Sequence, residues 1–138
     1  VRHILQVPWV ATASDGRAYL PGADRPHPRS YGTFARKLGH YAIREKVLGL
    51  PAAVRSMTGL PAEILGLTDR GVVRAGMVAD VAVFDPRRIR DAATFEDPHQ
   101  FSEGFRYVFV NGRPAVYRGK PTGALAGRAV VHSTGAAK

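Results

Sequence analysis

FRYVFVNGRPAVY, residues 105–117, places two runs rich in aromatic and β-branched side chains on either side of Asn111-Gly112. Asn-Gly supplies the positive φ angles of a type I′ turn, whose twist matches that of the strands it joins, so the stretch predicts a β-hairpin. Upstream, Val78 to Phe84 reads as another strand, apolar on both faces and therefore expected between two layers. Val72-Val73 reads as a shorter strand, and Gly71, Gly76 and Asp85-Pro86 punctuate the region. Residues 87–104 are polar and turn-rich; beyond Thr122 small residues dominate, and 133–138 reads as a frayed tail.

Ahead of about residue 70 the period changes to a helical one. Between Thr33 and Leu48, Phe34, Leu38, Tyr41, Ala42, Glu45 and Leu48 share a face, while Arg36, His40 and Arg44 share another, predicting an amphipathic helix capped by Thr33. Pro51 and Pro61 stand where a first helical turn tolerates a missing N–H, with Gly59 and Gly66 as stop signals, so two short helices follow. Residues 4–13 are apolar and end in Ser14-Asp15-Gly16, predicting a buried strand that begins near Trp9, after Pro8. Arg17 to Tyr31, rich in proline and glycine, is a long loop, and loops of that length in compact domains are usually functional or disordered. Helices precede strands, so the chain reads as α+β, built of pieces of two layers or of two larger domains.

The 138 residues suit one ordinary domain and are too few for a complete eight-fold barrel of roughly 250 residues. The 45% hydrophobic and 22% charged residues leave no reason to expect long disorder. No apolar window reaches a membrane span of roughly 18 residues, and residues 1–20 lack a signal-peptide layout. With no cysteine there is neither disulfide nor thiolate chemistry, and a cytoplasmic location is the expectation. The net charge of +9 would suit an anionic partner if clustered, but outside Arg87-Arg88-Arg90 and Arg36-Lys37-Arg44 the basic residues are spread singly. A nucleic-acid partner is therefore disfavoured.

Asp15 is the first chemical candidate, because parallel α/β folds place reactive groups at the mouths of strands. The competing reading is a turn former before glycine, accepting backbone N–H groups. His27, Arg29 and Tyr31 in HPRSYGT lie on the long loop, as ligand, acid or substrate contacts, and Arg29 has the fork to pair with a carboxylate. Asp80 and Asp85 read as structural, the first capping backbone groups and the second opening a turn. Asp97 and His99 in FEDPHQF fit a polar turn. His3, His40, His99 and His132 form no HxH or HExxH pair, and no phosphate loop, dinucleotide fingerprint or GxSxG elbow is present.

ASDG, HPRSYGTFARKLGHYAIREK, SMTGLPAEILGLTDRGVVRAGMVADVAVFDP and ATFEDPHQFSEGFRYVFVNGRPAVYRGKPTG together resemble the C-terminal portion of the N-acyl-D-amino-acid deacylases (D-aminoacylases) of the amidohydrolase superfamily, from about Pro8 to Arg128. The run from Pro61 to Asp85 is similar to the tail of many amidohydrolases, while HPRSYGT and TFEDPHQF point to the deacylase branch. The resemblance implies a metal-dependent (β/α)₈ barrel with a small β-sandwich. Residues 1–69 would supply the last strand and helices of the barrel, and 70–132 the C-terminal sandwich strands. It implies that Asp15 helps bind zinc and shuttles a proton from metal-bound water to the departing amine. His27, Arg29 and Tyr31 would lie over the barrel mouth. The remaining zinc ligands are absent, and one aspartate cannot hold a catalytic zinc, which needs about three protein ligands.

The implied reaction is hydrolysis of N-acyl-D-amino acids, with the missing N-terminal part of the enzyme as partner, no activity in this stretch alone, and self-association through exposed edges. Another amidohydrolase, dihydroorotase-like or hydantoinase-like, and a non-enzymatic basic binding module are the alternatives.

Overall fold

A computed structural model describes residues 1–20, 22 and 24–130. Pro21, His132 and the tail at 133–138 lie outside the described residues. The elements run α1 (Arg2–Leu5), α2 (Arg29–Arg36), a π-helix (Lys37–Arg44), α3 (Leu50–Met57), α4 (Gly59–Ile64), β1 (Val81–Phe84), β2 (Phe105–Val110), β3 (Arg113–Tyr117) and β4 (Lys120–Pro121). The helical half precedes an antiparallel sheet of order β1-β2-β3-β4, the α+β arrangement that the pattern predicts.

The hairpin forms as read. Asn111 and Gly112 have φ of 49° and 75°, and Val110 pairs with Arg113 across them. Asp80 and Ala79 pin this turn from outside: the Asn111 N–H donates to Asp80 Oδ1 at 2.8 Å, and the Gly112 N–H to the Ala79 carbonyl at 3.0 Å. Asp80 is thus the structural acid that its position suggests, with its other oxygen on Arg70 Nη1 at 2.6 Å. Asp85 likewise opens a turn by accepting the Arg87 N–H at 2.9 Å.

Strand 78–84 is shorter than its apolar run, forming only at Val81–Phe84, and Val72-Val73 is not a strand. Among the described residues β1 pairs on one side only, with β2, and Val83 is 43% exposed rather than sandwiched. Strand 9–14 does not form either. Besides a local turn bond from the Val10 N–H to the Val7 carbonyl at 3.2 Å, its backbone tie among the described residues is the Thr12 N–H to the Ser56 carbonyl at 2.8 Å, and Trp9 is 75% exposed. A strand exists only where a neighbour takes its backbone groups. Ahead of it, Ile4 and Leu5 belong to α1, so residues 4–13 are not one extended unit.

The amphipathic helix starts at Arg29, four residues before Thr33, and ends at Arg44. Thr33 is not its cap: its hydroxyl donates back to the Arg29 carbonyl at 2.9 Å. The start is instead held by His27, whose Nδ1 accepts the Arg29 N–H at 3.0 Å. From Lys37 the winding loosens, as in the Glu45 N–H bond to the His40 carbonyl at 2.9 Å, five residues back. The looser turn buries Lys37 beside Leu38, Gly39 and Ala42.

α3 and α4 fit the proline pattern, with Pro51 in the first turn of α3 and Gly66 at φ 65° just past α4. Gly59 does not stop a helix; Thr58 makes the break and Gly59 begins α4. The core gathers Ala35, Leu38, Ala42, Ala53 and Ile89, with Phe84 and Phe105 of the sheet packed against it. Ile89 joins the two halves, fitted between Gly39 and Gly104, where an added Cβ would strike its backbone on either side.

Candidate active site

Asp15 stands at the close of the segment that follows α1, in a left-handed conformation with φ 49°. That conformation is uncommon outside glycine, although aspartate and asparagine tolerate it better than most. The next residue must be small: a Cβ on Gly16 would come within 2.9 Å of Ser30 Cα. The Asp15-Gly16 corner can therefore lie directly against the start of α2. The Gly16 N–H also donates to Ser14 Oγ at 3.2 Å, a local turn bond.

Arg29, the first residue of α2, reaches back across this contact. Its Nε donates to the Asp15 carbonyl at 3.1 Å, and its Nη2 lies 2.8 Å from Asp15 Oδ2. The Asp15 side chain remains 81% exposed, open to whatever faces it. Two sequence candidates fourteen residues apart are thus brought together, and the carboxylate does not fold back onto its own turn.

Below this corner lies Lys37. Its ammonium donates to Thr12 Oγ1 at 2.6 Å and to Ser56 Oγ at 2.7 Å, with the residue 3% exposed and no carboxylate in contact. Burial holds its pKa below the ordinary 10.5. Lys37 ties the Thr12 segment to α3, three residues before Asp15. A lysine on an otherwise basic helix face gives no sequence sign of this role, since the loosened winding decides which way it points.

His27 and Tyr31 turn away from Asp15 toward the stretch from Thr94 to Ser102. The rings of His27 and Phe95 meet edge-on with centroids 4.9 Å apart, and Tyr31 Oη lies 2.8 Å from His99 Nδ1. Asp97 is a turn residue, accepting from Gln100 Nε2 at 2.6 Å, whereas His99 makes tertiary contacts that a polar turn does not explain. HPRSYGT and TFEDPHQF, far apart in sequence, therefore form one surface. Phe95, inside TFEDPHQF, and Ser102 and Arg25, outside both motifs, also hold it.

Among the described residues no three His, Cys, Asp or Glu side chains gather as a metal-binding group. Asp15 is the only candidate ligand at this corner and is engaged by Arg29, so these residues do not by themselves fit a zinc ion. Within the basic clusters Arg36 pairs with Asp91, Arg90 with Glu103, and Lys37 is buried. No helix among the described residues is long and apolar enough to cross a membrane.

Away from Asp15, an open hollow of about 950 Å³ lies between the helices and the sheet, walled by Leu38, Val54, Met57, Val81, Phe84 and Phe105. Both halves of the molecule present apolar side chains to it.

The model of the amidohydrolase family matches residues 2–116, and the chain belongs to that family. It is 44% identical over 133 residues to D-aminoacylase of Alcaligenes xylosoxydans xylosoxydans, covering 96% of this chain and 27% of that enzyme. A crystal structure of D-aminoacylase superimposes with a TM-score of 0.84 at 44% identity, over 92% of this chain and 26% of the other. N-acyl-D-glutamate deacylase from Bordetella bronchiseptica, solved with zinc and a phosphonate mimic of the tetrahedral intermediate, superimposes with a TM-score of 0.76 at 41% identity, over 87% of this chain and 26% of the other. The chain spans about a quarter of the length of these relatives.

Proposed function

We propose that this chain is the C-terminal part of a zinc-dependent hydrolase that cleaves the amide of N-acyl-D-amino acids to a carboxylate and a free D-amino acid, with Asp15 as its general acid/base. The observation that carries the reading is the likeness to D-aminoacylase across almost the whole chain, in sequence and in fold. The geometry supports it, because Asp15 presents an exposed carboxylate at a corner built by Gly16 and gripped by Arg29. Amide hydrolysis needs a base that takes a proton from the attacking water and an acid that returns one to the departing nitrogen. A single carboxylate in reach of both can do each in turn. Arg29 stands beside it with Nε and Nη2 on Asp15, leaving Nη1 for a substrate carboxylate, while His27 and Tyr31 shape the adjoining segment.

In this reading residues 1–69 close a (β/α)₈ barrel and the sheet belongs to a small β-sandwich. The preceding chain supplies the strands beside 9–14 and the other zinc ligands, so the 138 residues alone neither hold zinc stably nor turn over substrate. The unpaired side of β1 and the open apolar hollow agree with surfaces that other chain covers.

The test is an assay of N-acetyl-D-amino acids, with the L-enantiomers as control. The longer protein that carries this chain, loaded with zinc, is expected to release free D-amino acid, and the 138-residue chain to release none. Robust turnover by the chain alone would sink the claim of inactivity. No turnover by the zinc-loaded longer protein would remove the substrate assignment.

A further inference from the structure

Asp24 to Tyr31 and Thr94 to Ser102 are joined by several side chains, of which His99 alone bonds the first segment at both of its ends. His99 Nε2 lies 2.7 Å from the Asp24 carbonyl oxygen. A carbonyl only accepts, so Nε2 carries the hydrogen and the Nδ1 lone pair is left to accept the Tyr31 hydroxyl at 2.8 Å. His99 therefore spans the loop at both ends of the Arg25–Ser30 stretch, which contains His27 and Arg29. Around it, Ser102 Oγ donates to the Tyr31 carbonyl and Arg25 Nη2 to the Glu96 carbonyl, each at 2.8 Å. Pro26 and Pro98, one in each segment, are buried.

We propose that His99 is a positioning residue, a clasp that fixes the 24–31 segment, the loop end and the first turn of α2, in the shape in which Arg29 grips Asp15. The assignment rests on the reading of Asp15 as the acid/base. The physical case is one of conformational freedom. Loops of this length are costly to order, and Arg29 reaches Asp15 only if the backbone entering α2 is held. His99 holds that backbone before Arg29, at Asp24, and after it, at Tyr31. Its two ring nitrogens are both committed, one to each end of the stretch.

The experiment uses the longer zinc-loaded enzyme with four variants: His99→Ala, His99→Asn, Tyr31→Phe and the Tyr31→Phe/His99→Ala double variant. His99→Ala is expected to lower kcat/KM by about ten- to a hundredfold, the cost of slight misplacement of reacting groups, with zinc content and melting midpoint as in the parent. His99→Asn, which retains an acceptor near the Nδ1 position, should recover part of the loss. The double variant should be no worse than His99→Ala, and amide exchange at 24–31 should quicken in His99→Ala. Parental kcat/KM in His99→Ala, or losses that multiply in the double variant, would overturn the proposal. If His99→Ala fails to fold, Tyr31→Phe, which removes one oxygen, decides by the same exchange readout: unchanged exchange at 24–31 refutes the clasp. An enzyme without deacylase activity in any form would refute the reading of Asp15, while the exchange comparison would still judge the clasp.

Discussion

Arg29 holds Asp15 at two points, by Nε on its carbonyl at 3.1 Å and by Nη2 on its carboxylate at 2.8 Å. The grip fixes both the backbone turn and the direction of the side chain, although the aspartate is 81% exposed. An exposed ion pair contributes little to stability on its own, so the arrangement is better explained by orientation than by folding energy.

Asp15→Asn in the longer enzyme is therefore expected to lower kcat by at least about a hundredfold, the scale of a lost general acid/base, with little change in melting temperature. Arg29→Lys keeps the charge and loses the fork, and a smaller loss is expected. Steady-state kinetics beside thermal melts would check both. An Asp15→Asn variant with parental kcat would return Asp15 to the role of a turn former.

Gly39 faces the Ile89 carbonyl so closely that a methyl group has no room. Gly39→Ala should destabilise the chain by about 1–3 kcal/mol, the usual cost of overpacking. Gly127→Ala, where nothing lies within 4 Å, should stay within about 0.5 kcal/mol of the parent. Denaturant titration of the two variants makes the comparison, and equal midpoints would show that Ile89 is not fixed against the π-helix.

Lys37 gives the fold a specific pH dependence. Burial lowers its pKa in the folded state, so the unfolded chain binds this proton more tightly. The stability penalty is complete below the folded pKa and is relieved as pH climbs through it toward the ordinary value of 10.5. Lys37→Met should abolish that rise while filling the same space. Chemical denaturation from neutral pH to pH about 10.4 would record it as converging stabilities if Lys37 is responsible, and as a constant difference if it is not.

The free edge of β1 and the apolar hollow predict that the 138-residue chain self-associates. Val83 is 43% exposed on that strand. Val83→Lys should shift sedimentation toward monomer, because a charge on an edge strand resists pairing. A parent chain that sediments as a compact monomer at all concentrations would contradict the expectation.

Local signals were legible where they were complete within a few residues. Asn111-Gly112 needs only its own φ preferences to make a turn, and Pro51 and Pro61 need only the first turn of a helix. Asp80 and Asp85 were readable as structural for the same reason. The Thr33 hydroxyl has two local uses, capping and back-bonding, and the sequence does not say that the helix starts four residues earlier, where His27 Nδ1 accepts the Arg29 N–H. Residues 9–14 carry a strand composition without a strand, since pairing depends on backbone supplied by neighbours and not on side chains.

By itself the sequence determined the hairpin, the order of helices before sheet, the family resemblance and the candidate residues Asp15, His27, Arg29 and Tyr31, because each is written in short-range pattern or motif. Only the tertiary structure decided that Arg29 turns to Asp15 while His27 and Tyr31 turn to Phe95 and His99. It also decided that Lys37 is buried beneath the corner and that Ile89 joins the two halves. Those outcomes depend on helix winding and on close approach at Gly16, Gly39 and Gly104, distances between segments that no local preference specifies.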